Sequence, residues 1–225
     1  MDTVNIGLIR VLTLSDQKEI DRHGLIIEGA FSGLKVRSRC IEDHPKGLYD
    51  KISEEEAKPK IISLAKELRK GVEAIIVSCA ADPAVKELKE ILNIPVIGAG
   101  ESLAAVSRTL GGSVGVITIT NNVPDPVRRG LGERYLTWKK VEGVESTLDL
   151  KEGDILAHTL NTAMALRKQG SNVIALACTG FSTAGVAPKI SKELGMPVVD
   201  PVLAAGSIAY NLMLNKECWR EDVED

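Results

Sequence analysis

Gly71-Val-Glu-Ala-Ile-Ile-Val-Ser-Cys79-Ala-Ala-Asp82-Pro83 is an apolar run that ends on a cysteine and then breaks at Asp-Pro. It reads as a buried strand that delivers Cys79 to a loop, with Asp82 and Pro83 opening a helix behind it. The chain repeats the statement at Gly170-Ser-Asn-Val-Ile-Ala-Leu-Ala-Cys178-Thr-Gly180. In both copies the cysteine stands eight residues after the leading glycine.

The flanking segments repeat as well. Asn5-Ile-Gly-Leu-Ile-Arg-Val11 is matched by Ser113-Val-Gly-Val-Ile-Thr-Ile119, apolar positions and interior glycine included. The alternating strand from Leu34 to Cys40 is answered by Trp138 to Val144, and Ile94-Pro-Val-Ile97 by Met196-Pro-Val-Val199. Between them, apolar residues at helical spacing predict helices over about 17–27, 54–70, 85–92, 101–110, 153–168, 188–194 and 202–215. Ser15 or Asp16 is placed to cap the first of these. The whole is a tandem repeat of one β/α unit of roughly a hundred residues. The expected fold class is therefore α/β, with two pseudo-symmetric, small parallel-sheet (flavodoxin-like) lobes and an active-site cleft between them, where the strands present their carboxyl ends. The first lobe is expected to comprise 1–98 plus 202–225 and to carry Cys79; the second, 99–201, carries Cys178.

Composition agrees. The 225 residues are 44% hydrophobic but only 3% aromatic, so Ile, Val, Leu and Ala must fill the core, as in sheets covered by helices on both faces. The net charge of −3, from 28 basic and 31 acidic residues spread along the chain, offers no concentrated basic face for nucleic acid. No apolar run is long enough for a membrane span and no basic leader opens the chain, so a cytoplasmic protein is expected. The four cysteines then read as free thiols. With no Cys-x-x-Cys and with His23, His44 and His158 scattered, no metal site is expected. Gly98-Ala-Gly100 lacks the third glycine of a dinucleotide fingerprint, where Leu103 stands, and no cofactor is expected. The expected partner is a small-molecule substrate; a homo-oligomer of unspecified size is compatible with such a cleft.

A thiol with a pKa of about 8.5 is only a few per cent ionised at neutral pH, and loop N–H groups at a helix start favour its thiolate. Two such thiols facing one another across a cleft suit a 1,1-proton transfer. One removes a proton from carbon and the other returns a proton to the opposite face, each group contributing roughly 10² to 10⁴ in rate. Backbone N–H groups of Ala80, Ala81, Thr179 and Gly180 are the candidates for holding the negative charge on a neighbouring carbonyl. Thr13 and Ser15 after the first strand, and Thr118 and Thr120 at the end of its counterpart, are candidates for lining the cleft. Cysteine is also a common core residue, and Cys40 and Cys218 are read as structural. For Cys79 and Cys178 the repeat favours chemistry, because both stand just beyond the apolar run.

With Val77-Ser-Cys79-Ala-Ala-Asp82-Pro83, Ile94-Pro-Val-Ile-Gly98-Ala-Gly100-Glu101, Ser113-Val-Gly-Val-Ile-Thr118 and Leu176-Ala-Cys178-Thr-Gly180, the sequence resembles the aspartate/glutamate racemase superfamily, most closely its hydantoin racemase branch. The resemblance implies cofactor-independent racemisation with Cys79 and Cys178 as the two bases. It has departures. Amino-acid racemases of the superfamily typically follow the first cysteine with Asn-Thr, which bind the substrate carboxylate, and carry His or Glu two residues after the second. Ala80-Ala81 and Gly180 stand there instead, which argues against free aspartate or glutamate. Hydantoin racemases usually have Asn-Pro-Asn after the first strand, where Thr13-Leu14-Ser15 is read here. A 5-substituted hydantoin or a similar carbon acid is the substrate class implied. Aspartate/glutamate-type racemisation, a malonate-type decarboxylation and a non-catalytic small-molecule binding protein are the alternatives.

Overall fold

A computed structural model describes residues 3–151 and 154–214. The expected helix start at Gly153, the expected helix end at Asn215 and the structural reading of Cys218 lie outside the described residues. The first half runs β1 (Val4–Arg10), α1 (Gln17–Ala30), β2 (Leu34–Cys40), α2 (Lys51–Leu68), β3 (Ala74–Ser78), α3 (Val85–Ile91), β4 (Val96–Gly98) and α4 (Ala99–Thr109). The second runs β5 (Val114–Thr118), α5 (Asp125–Leu131), β6 (Tyr135–Lys140), α6 (Ile155–Lys168), β7 (Val173–Leu176), α7 (Gly180–Ala184), α8 (Ala187–Leu194), β8 (Val198–Val199) and α9 (Pro201–Leu214).

These elements form two parallel sheets of four strands each, in the orders β2-β1-β3-β4 and β6-β5-β7-β8, which are one topology drawn twice. The central strands β3, β5 and β7 are buried from end to end, and β1 exposes only Asn5, in keeping with continuous apolar runs covered on both faces. Asp16 rather than Ser15 caps α1, accepting from the Lys18 N–H at 3.1 Å. The helix α2 starts at Lys51, ahead of its first apolar residues, because Asp50 and Ser53 form a reciprocal cap.

The helices that end the two halves exchange sides. Leu103 and Ala104 of α4 pack with Val114, Val116, Val173 and Ala175 of the second sheet. Val202, Ala205 and Ala209 of α9 pack with Val4, Ile6, Ile76 and Ile97 of the first.

The residues after Cys79 depart from the sequence reading. Asp82 and Pro83 do not open α3, which begins at Val85 behind an Ala84 with φ of +60° and no side-chain cap. Asp82, itself at φ +50°, turns its carboxylate to α4 and accepts from the Gly100 N–H at 2.7 Å and the Glu101 N–H at 2.6 Å. The residue at the α4 cap position is Gly98, which has no side chain to offer, so the acceptor comes from another loop. Asp82→Ala should therefore lower unfolding free energy by about 0.5–2 kcal/mol in chemical denaturation. A variant as stable as the wild type would show that this cap carries no weight.

Candidate active site

The carboxyl ends of the two sheets enclose a cavity of about 540 Å³. From the first half it is lined by Arg10, Val11 and Leu12 at the end of β1, by Ser78 to Ala81 after β3, and by the segment from Gly47 to Lys51 with Glu54 and Glu55. The second half contributes Ile119, Thr120, Asn122, Thr147 and Ala177 to Thr179, with Pro124 to Pro126 at the start of α5. Cys79 and Cys178 both stand on its wall, delivered by the ends of the matching strands β3 and β7. Cys178 is 8% exposed; its sulfur accepts from the Gly180 N–H at 3.4 Å and lies 3.9 Å from Thr147 Oγ1. The Ala81 N–H plays the corresponding part for the Cys79 sulfur.

Loop N–H groups do favour the thiolates, but they do not win. Burial pushes the Cys79 thiol well up, against the Ala81 N–H, and the nearby acids Cys178, Asp82 and Glu54 push the same way. Burial also raises Cys178, opposed by the Gly180 N–H, the Thr147 hydroxyl, the Arg10 charge and the Phe181 N–H. Both groups are therefore held as neutral thiols more firmly than a solvated cysteine, the reverse of the lowering expected from the sequence. Desolvation of a buried charge outweighs one or two N–H contacts.

The other candidates divide. Ala80, Ala81, Thr179 and Thr120 line the cavity, Thr179 donating to the Ser78 carbonyl at 3.2 Å and Thr120 to the Asn122 carbonyl at 2.9 Å. Thr13, Ser15, Thr118 and Gly180 are not on its wall. The Thr13 hydroxyl donates to the Ile41 carbonyl (2.8 Å) and accepts from the His44 N–H (2.7 Å), which fixes the loop after β2. Ser15 is exposed. Fully buried Thr118 donates to the Thr120 carbonyl at 2.8 Å. Gly180 is turned toward the Cys178 sulfur, and a Cβ there would meet Leu150 Cδ1 at 2.5 Å. The first of these shifts has a simple cause: β1 stops at Arg10, not Leu14, so the residues that reach the cavity come three positions earlier than expected.

Two residues not singled out from the sequence organise the floor. Arg10 is only 5% exposed, donates through Nη1 to the Glu19 (2.8 Å) and Ile20 (3.4 Å) carbonyls, and keeps a buried Nε with no partner. A lone charge inside Ile-Gly-Leu-Ile-Arg-Val was the signal that could have found it. His23 of α1 is fully buried, with Nδ1 2.8 Å from Ser78 Oγ and Nε2 2.9 Å from Thr183 Oγ1. Burial, reinforced by Arg10, holds its pKa well below the usual histidine range, so the neutral ring donates through one nitrogen and accepts through the other. With Thr179 on Ser78, this ties the two cysteine loops together beneath the cavity.

Residues 32–209 match the family model described as Asp/Glu/Hydantoin racemase. The chain belongs to that family. A hydantoin racemase of Paenarthrobacter aurescens is 28% identical over 147 residues, covering 63% of this chain and 61% of the relative. One from Rhizobium meliloti is 30% identical over 151 residues, covering 64% and 61%. The chain thus spans less than two thirds of the length of these curated relatives. Among solved structures, an allantoin racemase from Klebsiella pneumoniae superposes with a TM-score of 0.81 at 22% identity, over 95% of this chain and 89% of the other, and shares the two-lobed fold. In this member of the Asp/Glu/Hydantoin racemase family the wall beside Cys79 is apolar, formed by Ala80 and Ala81. Among the described residues, no group of three or more His, Cys, Asp and Glu is placed to hold a metal ion, and no helix is long and apolar enough to cross a membrane.

Proposed function

We propose that the protein is a cofactor-independent racemase in which Cys79 and Cys178 transfer a proton across one carbon of a 5-substituted hydantoin or a similar cyclic amide. The observation that carries this reading is the repeat itself: the same strand end, used twice, brings two thiols to the wall of one shared cavity. The named relatives support the substrate class, and the apolar pair Ala80-Ala81 suits a neutral ring better than a free amino-acid carboxylate.

In the reaction, the thiolate of one cysteine takes the proton from C5 and the electron pair moves onto the adjacent carbonyl. The thiol of the other then gives its proton to the opposite face. The product leaves with inverted configuration and the two cysteines with exchanged protonation, which solvent resets. Raised thiol pKa values place the cost in forming the first thiolate. They also make each thiolate a stronger base toward a carbon acid once formed.

Separate L and D enantiomers of a 5-substituted hydantoin, incubated with the protein in deuterated buffer, test the reading. Optical rotation should decay from both sides, with deuterium entering C5 faster than in an enzyme-free control. Absence of exchange in both enantiomers sinks it.

A further inference from the structure

We propose that His23 is a positioning residue for the proton transfer: by holding Ser78 of one half and Thr183 of the other, it fixes the separation of the two thiols. The inference rests on the reading of Cys79 and Cys178 as the two bases.

Ser78 is the last residue of β3 and the immediate neighbour of Cys79. Thr183 belongs to α7, the short helix that begins at Gly180, just after Cys178. The imidazole of His23 stands between them, 2.8 Å from the Ser78 hydroxyl and 2.9 Å from that of Thr183, with no exposure to solvent. Two further bonds join the same segments. Thr179, next to Cys178, donates to the Ser78 carbonyl at 3.2 Å, and Arg22 of α1 donates to the Thr183 carbonyl at 3.2 Å. Each cysteine therefore has a chain neighbour that is hydrogen-bonded across the boundary between the halves.

The repeat contains this tie once. With Cys79 aligned on Cys178, Ser78 corresponds to Ala177, Thr179 to Ala80 and Thr183 to Ala84. All three hydroxyls of the tie have a methyl group as their counterpart. The helix that corresponds to α1 is α5, Asp-Pro-Val-Arg-Arg-Gly-Leu, and it brings no histidine. On that side Ala80 and Ala177 share an apolar cluster. Apolar contact is non-directional and tolerates a small slide, whereas a buried hydrogen bond sets both distance and direction. The spacing of the two loops is accordingly held from the His23 side.

Spacing matters because the reacting carbon has to meet one sulfur on each face. Loosening the tie should harm the second transfer more than the first. The thiolate that meets the C–H bond still removes the proton, but the opposite thiol stands out of reach, and a proton returns from the face it left.

His23→Asn keeps a polar atom near the place of Nδ1 and removes the arm to Thr183; Thr183→Val removes the same arm from its other end with little change of shape. Deuterium entry with retention and inversion at C5 are counted in one sample by chiral separation and mass spectrometry. In both variants inversion should fall about 10²-fold, the effect of a displacement of about 1 Å, while KM changes little and the ratio of retained exchange to inversion rises by a similar factor. An unfolded fraction lowers both counts together and leaves their ratio unchanged. Thr183→Val placed on His23→Asn should add no further loss, because both cut one bond. A second readout needs no turnover: bis-methanethiosulfonates of graded length bridge the two thiols, and peptide mass spectrometry shows which lengths span them. The wild type should accept a narrow set of lengths and both variants a wider one. If His23→Asn does not fold, as judged by circular dichroism, Thr183→Val decides. An unchanged exchange ratio or an unchanged set of spanning lengths overturns the proposal. A wider set of lengths in the variants, with no exchange at C5 in the wild type, refutes the racemase reading and not this one.

Discussion

Serine at Cys79 or at Cys178 is expected to cut racemisation by about 10²–10⁴ or more in kcat, because in the proposed reaction each position supplies one of the two proton transfers and a hydroxyl ionises far too high to replace a thiolate. The single variants should also behave in a way that neither loss of fold nor loss of binding would produce. With one thiol left, the protein can still remove a proton from the enantiomer that presents its C–H bond to that wall, and return a proton to the same face. Deuterium should then enter one enantiomer without inversion, and the other variant should do the same for the opposite enantiomer. Mass spectrometry combined with chiral separation reads both quantities in one sample. Racemisation at the wild-type rate in either variant would remove that cysteine from the mechanism.

Gly100→Ala is expected to be nearly as damaging, although Gly100 touches no substrate. A Cβ at this position would run into the Ala80 carbonyl oxygen and come within 2.9 Å of Asp82 Oδ2. Both partners belong to the loop that starts at Cys79, and that loop has little room to yield. It already holds Asp82 at φ +50° and Ala84 at φ +60°, conformations that cost a non-glycine residue about 1 kcal/mol or more each. Overpacking of this kind should lower stability by about 1–3 kcal/mol. Displacing the thiol by about 1 Å should lower turnover roughly 10²-fold. Gly29→Ala, on the exposed side of α1 with nothing within 4 Å of the added carbon, is the matched control and should be neutral or slightly stabilising. Wild-type stability and turnover in Gly100→Ala would mean that α4 does not brace the Cys79 loop.

Much of this architecture can be read along the chain, because it depends on local pattern. Apolar runs led by glycine and ending on cysteine locate β3 and β7. Their internal similarity located the second half, and the step from strand to loop located both thiols. The structure supplies what depends on distant parts of the chain. Asp82 stands next to Pro83 and looks like a local cap, but its partners are the N–H groups of residues 100 and 101. Thr13 and Ser15 look like cleft residues in the sequence because the apolar run continues to Leu14. The backbone leaves the sheet at Arg10, and the rest of that run packs against the loop after β2. The helix α5 spans seven residues and buries Val127 and Leu131, too short a span for periodicity to declare itself. The thiol pKa values failed for a different reason. Helix-start N–H groups can be placed from sequence, whereas desolvation depends on how completely the core of each half packs around its own sulfur.

The exchange of α4 and α9 has a further meaning. Each half of the chain donates its final helix to cover the other half's sheet, as two copies of one small protein do when they trade a terminal segment. A fragment ending near residue 111 would carry a helix without the sheet it covers, and a sheet without its lid. It could complete both only by meeting a second fragment of the same kind. The fused chain has the connectivity of such a swapped pair written as one polypeptide, and its matched positions are free to differ, as Arg10 of β1 and Thr118 of β5 do.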